Sequence, residues 1–128
     1  MGNGSEIRSQ MTEVRKTAEV PTPSQIFADI EAQPPLMRPQ TARAYRGMAV
    51  DWSLTFANAK ADRAGEVSVY FHSESHRLSM VTGKVSLRRY PQLKQLRIGT
   101  LVHVRGKIRE ADTLFIELEL TDLLLGDK

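Results

Sequence analysis

The stretch "VTGKVSLRRYPQLKQLRIGTLVHVRGKI", residues 81–108, decides how the chain reads. Its last third sets Val102 and Val104 on one side of a strand, with His103, Arg105 and Lys107 on the other. Its first third reads as another strand, with Gly83 as a bulge or bend. The middle breaks the period of two. Pro91 starts a helix, Leu93 and Leu96 share a face, and Gly99 ends the element. Strand, helix, strand is the predicted order of this segment.

Working outward, residues 66–72 alternate Val67, Val69 and Phe71 against Ser68, Tyr70 and His72. Before them, Val50, Trp52, Leu54 and Phe56 alternate with Asp51, Ser53 and Thr55, followed by a loop over 58–65. A turn over 73–76 and a strand over 77–87 complete the upstream half. Downstream, "EAD" (110–112) turns the chain into a strand over 113–125, where Leu114, Ile116, Leu118 and Leu120 alternate with Phe115, Glu117, Glu119 and Thr121. Residues 21–46 carry helix punctuation: Ser24 as a cap, Pro34 and Pro35 as a stop, then a short helix from Pro39 to Gly47. The predicted organisation is a flexible tail over 1–20, a helical extension over 21–46 and a domain over 47–125. The fold class is all-β: a five-stranded OB-fold Greek-key barrel with a helix between strands 3 and 4.

The motifs "G-x-x-V-x-W" from Gly47, "Y-P-x-L-K-x-L" from Tyr90 and "G-x-x-V-x-V-x-G-K-I" from Gly99, with "LFIELELTDLLL" (114–125), resemble the tRNA anticodon-binding-like OB-fold proteins over residues 38–125. The resemblance implies an OB fold and a family tendency to bind nucleic acid. These motifs are structural and specify no substrate.

The bulk numbers exclude several classes. With 128 residues and no cysteine, the chain is one domain without disulfides or thiolate metal sites. No apolar run is long enough to span a bilayer and no signal core is visible, so the expected location is cytoplasmic, with no membrane partner. His72 and His76 straddle a strand end and a turn, which removes the meaning of their spacing as a metal pair. No catalytic residues, metal site or cofactor are expected, and the chain reads as a non-enzyme.

Net charge is only +3, but its distribution is uneven. Between Ser75 and Arg109 stand nine Lys and Arg residues and no Asp or Glu, a local asymmetry able to attract a polyanion. The preferred function is non-catalytic binding of single-stranded nucleic acid in the barrel groove. The candidate contacts are Lys60, Arg63, Lys84, Arg105, Lys107 and Arg109 for phosphates, with base stacking on Tyr70 and His72. Competing structural roles stand beside these. Tyr70 either stacks on a base or covers a neighbouring strand. With the hairpin turning near Ala111, Arg105 lies opposite Glu117 and His103 opposite Glu119, leaving Lys107 opposite Phe115. The rival class is a protein-interaction module, docking a partner or a second copy through Leu120, Leu123, Leu124 and Leu125 and through the face formed by Ile26, Phe27 and Ile30.

Overall fold

β1 (Ala49–Ala61) begins where the apolar alternation begins and puts Val50, Trp52, Leu54 and Phe56 inside. In the computed structural model, which describes residues 20–73 and 79–125, β1 is followed by β2 (Glu66–His72), β3 (Met80–Ser86), β4 (Leu101–Ala111) and β5 (Phe115–Leu125). Residues 1–19 of the expected tail, and His76 and Arg77, lie outside the described residues. The strands close in the order β1-β2-β3-β5-β4, with β4 pairing back onto β1. Every ladder is antiparallel except β3–β5, a four-residue parallel seam from Met80↔Phe115 to Gly83↔Leu118. This closed Greek-key order is consistent with an OB-like barrel.

Inward residues fill the barrel: Val69, Val81, Val102, Val104 and Ile116 are fully buried, and Phe56 meets Phe71 edge to face at 6.2 Å. Closure needs sharp bends, and the strands supply them by bulges. β1 bulges between Phe56 and Asn58, so it continues to Ala61 rather than ending before residue 58. Gly83 is not a bulge, because the β2–β3 register runs evenly through Val69↔Gly83. It is a point of close approach: a Cβ there would meet Leu120 Cδ1 at 2.6 Å.

α1 (Pro23–Ala32) and α2 (Arg38–Arg43) precede the barrel. The cap of α1 is Thr22, not Ser24. Its hydroxyl accepts from Gln25 N while the Gln25 side chain accepts from Thr22 N, a reciprocal box with Pro23 in the first turn. The apolar face of α1 joins the barrel's core, and Trp52 Nε1 donates to Pro21 O at 2.9 Å. Ile26, Phe27 and Ile30 are therefore fully buried and offer no docking face. Among the described residues no helix is long and apolar enough to cross a membrane.

No α-helix stands between β3 and β4. A single 3-10 segment, Pro91–Gln95, holds the crossover, with Leu93 buried and Leu96 already extended. Two apolar side chains are too few to make a longer helix pay for its ordering. The crossover is pinned to β5 instead: Tyr90 OH lies 3.2 Å from Asp122 Oδ1 and accepts from Leu123 N at 3.2 Å.

The β4–β5 hairpin is displaced from the expected register. Its turn centres between Thr113 and Leu114, where the Asp112 carboxylate accepts from both Leu114 N and Phe115 N at 2.8 Å. Arg105 consequently faces Asp122, Lys107 faces Glu119 and His103 faces Leu124. Bulges at Arg109 and Thr121 fall on opposite strands and cancel, so the displacement persists along the ladder. At the second bulge the Thr121 carbonyl accepts from Arg89 Nη2 at 3.1 Å. Of the four leucines expected to dock a partner, Leu123 is buried, Leu120 and Leu125 pack on the core, and Leu124 alone is exposed.

Candidate functional site

Alternation sends Ser68, Tyr70 and His72 of β2 outward, and the even β2–β3 register sets Lys84, Thr82 and Met80 beside them. Bulging in β1 and the parallel seam to β5 extend these pairs into rows across the barrel wall. One row is Thr55, His72, Met80 and Phe115. The next is Asn58, Tyr70, Thr82 and Glu117, and a third is Lys60, Ser68 and Lys84. Successive rows lie about 7 Å apart, the rise of two strand residues. Tyr70 and His72 are half-buried, and Phe115 is 42% exposed.

Phe115 joins this wall because the parallel seam places it beside Met80. Sequence alternation sets Phe115 opposite the apolar face of β5, but only the seam says which strand it borders. Lys60, Arg63 and Lys84 are exposed at the lower end of the wall, with Arg63 in the connection after β1. Arg109, pushed out at its bulge, reaches Glu117 at 4.0 Å and so borders the Tyr70 row.

Two of these four cations are opposed. Lys84 Nζ lies 3.4 Å from Asp62 Oδ2. The Asp62 carboxyl is held below the ordinary carboxylate range, first by accepting from Arg63 N and then by the Lys84 ammonium. Lys60 and Arg63 have no carboxylate within 4 Å among the described residues. The wall therefore carries rings toward one end and unopposed cations toward the other.

Arg105 and Lys107 do not share this wall. β4 borders β1 and β5, so their side chains lie across the barrel from β2 and β3. There Arg105 Nε meets Asp51 Oδ2 at 3.3 Å, His103 Nε2 bonds the other Asp51 oxygen, and Ser53 Oγ is 3.2 Å from His103 Nδ1. Such half-exposed pairs contribute ~0–1 kcal/mol each. The Ser53–His103–Asp51 chain is set by the β1–β4 register, which pairs Ser53 with His103 and Asp51 with Arg105. Sequence order gives no sign of it. With Arg105 neutralising Asp51, the chain forms a satisfied polar ladder over the closing seam. Among the described residues, no three His, Cys, Asp or Glu side chains gather to hold a metal ion.

No protein-family model matches the sequence, and no curated protein matches it. Solved structures do match in fold. A lipoprotein from Klebsiella pneumoniae, provisionally described as nucleic acid-binding, superposes with a TM-score of 0.58 at 12% identity, over 95% of this chain and 99% of that one. OBody AM1L10, solved bound to hen egg-white lysozyme, superposes with a TM-score of 0.51 at 13% identity, over 68% of this chain and 86% of that one. Both likenesses concern the barrel fold.

Proposed function

We propose that the protein is a non-catalytic binder of single-stranded nucleic acid and that the outer β2–β3 wall is its binding surface. The observation carrying this reading is the convergence of three rings, those of Tyr70, His72 and Phe115, with Lys60 and Lys84 on rows about 7 Å apart and Arg63 in the connection that follows Lys60. Stacking contributes ~1–3 kcal/mol per base and needs only an accessible ring face. Phosphate contacts add affinity and make it depend on salt. In this reading Arg109 borders the ring end, while Arg105 and Lys107 are left to the opposite flank. The nucleic-acid binding provisionally ascribed to the Klebsiella neighbour supports the same class of ligand.

The test is fluorescence anisotropy of a labelled pyrimidine oligonucleotide across a salt series. Saturable binding is expected, with the slope of log affinity against log salt reduced by ~0.7 for each of Lys60→Ala and Arg63→Ala. Absence of binding at low salt refutes the reading.

A second reading has its own observation. Leu101 and Leu124 are 62% and 55% exposed and lie diagonally on adjacent strands, Leu101 beside Thr55 at the edge of the ring row and Leu124 beside His103. Ile98, just upstream, is 73% exposed. A protein partner docked there would cover all three, and the OBody neighbour is a related barrel seen bound to a protein. Light scattering over a concentration series separates self-association from a monomeric barrel.

A further inference from the structure

Beyond the Lys60–Ser68–Lys84 row, the β2–β3 wall runs on through the pair Glu66↔Ser86 into an open groove of about 590 Å3. Gly65, Ser86, Leu87, Arg88, Pro91 and Lys94 line it. Its walls come from the two connections that meet at this end of the barrel, the turn before β2 and the crossover after β3. Their meeting is fixed by Leu87 N donating to Gly65 O at 2.9 Å. The turn in the crossover is closed by Arg88 N donating to Ser86 Oγ at 3.2 Å.

The charge of the groove differs from that of the wall leading to it. On the wall, Lys84 is held by Asp62, and Glu66 stands exposed beside the Ser86 pair. In the groove, Arg88 and Lys94 are both exposed and have no carboxylate within 4 Å among the described residues. No acidic residue is among those lining it. The lining also offers the apolar surfaces of Leu87 and Pro91 and no exposed ring. That composition suits the phosphate and sugar of a chain rather than its bases.

We infer that this groove is a phosphate subsite, taking the backbone of a single strand after its bases leave the rings of Tyr70, His72 and Phe115. The inference rests on the proposed function of the β2–β3 wall and adds a length requirement to it. From the Met80 row to Ser86 is about 20 Å along β3, six residues at the strand rise. A short oligonucleotide seated on the rings stops before the groove, and a longer one enters it.

The experiment measures the affinity of oligothymidylates of about 3 and about 15 nucleotides, the first too short to cover about 20 Å at about 7 Å per base and the second within the range one such barrel accommodates. The proteins compared are the wild type, Arg88→Ala/Lys94→Ala, Arg88→Lys/Lys94→Arg and Tyr70→Ala/Phe115→Ala. Arg88→Ala/Lys94→Ala is expected to weaken the long ligand by about tenfold or more at 0.1 M salt and to lower its salt slope by ~1.4, with the short ligand unchanged. The charge-keeping exchange is expected to restore most of the long-ligand affinity, and Tyr70→Ala/Phe115→Ala to weaken both lengths. Long-ligand affinity unaltered by Arg88→Ala/Lys94→Ala overturns the subsite and leaves the wall intact. Equal loss on both lengths also overturns it, because the two cations would then act as a diffuse field. If the wild type binds neither ligand, the wall and the groove fall together.

Discussion

The two flanks of this barrel are built by the same rule and end in opposite chemical states. On the β2–β3 wall, outward residues leave two rings half-buried, a third 42% exposed, and Lys60 and Arg63 without acidic partners among the described residues. On the β1–β4 wall, outward residues consume one another: Asp51 takes both His103 and Arg105, and His103 takes Ser53. Beyond them that wall shows the exposed Leu101 and Leu124 toward one end and Lys107, set opposite Glu119, toward the other, with no ring. In sequence the β4 run "HVRGK" looked the more basic of the two. A residue's availability is therefore decided by its cross-strand neighbours, which come from far along the chain.

The largest way to break this contrast is to break the register that creates it. A Cβ at Gly106 would run into the Glu119 carbonyl oxygen, with Glu119 C and Leu120 Cα both 3.1 Å away. These are backbone atoms, fixed within the β4–β5 ladder, and cannot rotate aside. Gly106→Ala is expected to cost at least about 3 kcal/mol in urea unfolding, at or beyond the upper end of ordinary overpacking. Gly83→Ala meets mainly the Leu120 side chain, which can turn, and is expected to cost about 1–2 kcal/mol.

Next in size is the functional contrast itself. Tyr70→Ala and Phe115→Ala are each expected to remove ~1–3 kcal/mol of oligonucleotide affinity, whereas Arg105→Ala and Lys107→Ala change it by less than about threefold. Anisotropy titrations in one buffer compare all four. Equal losses on both flanks would erase the distinction.

A third prediction concerns the crossover that holds the groove wall against β5. Burial pushes the Tyr90 phenol above its ordinary value near 10, and the neighbouring Asp122 carboxylate adds to that. The folded protein then holds this proton more tightly than the unfolded chain. Stability is unaffected by the group below pH ~10 and falls as pH rises past the unfolded value, since the unfolded chain binds fewer protons there. Tyr90→Phe is expected to cost ~1–2 kcal/mol at neutral pH through the lost bonds to Asp122 and Leu123, and to flatten this alkaline decline. Thermal melts from pH 8 to 11 check both.

The smallest expected effect is at Asp62. Asp62→Asn keeps an acceptor for Arg63 N and removes the charge opposing Lys84. Oligonucleotide affinity is expected to rise by no more than about fivefold, the scale of an exposed pair.

Much of the barrel was legible because burial imposes a period of two. Val67, Val69 and Phe71, or Val50 to Phe56, announce their strands and their inner faces without further information. Tyr70, His72 and Lys84 were legible as outward neighbours for the same reason, since β2 and β3 are joined in sequence order, whereas Lys60, expected in a loop, lies on β1 because the bulge carries that strand to Ala61. What could not be read depends on contacts distant in sequence. Phe115 reaches the wall only through a parallel seam, and Arg109 through a bulge. The cross-strand partners of the β4 cations were misplaced because two Asp112 bonds fix the turn at Thr113 and Leu114, which no alternation reveals. The crossover helix failed for a local reason: Leu93 and Leu96 match a helical face but are too few to sustain one.

The most direct measurement is a heteronuclear NMR titration of the full chain with a short single-stranded oligonucleotide, following backbone amides. The account predicts shifts concentrated at Ser68, Tyr70, His72, Met80, Thr82, Lys84 and Phe115, with His103, Arg105 and Leu124 unmoved. Shifts centred on His103, Arg105 and Leu124, or none at saturating ligand, would contradict it.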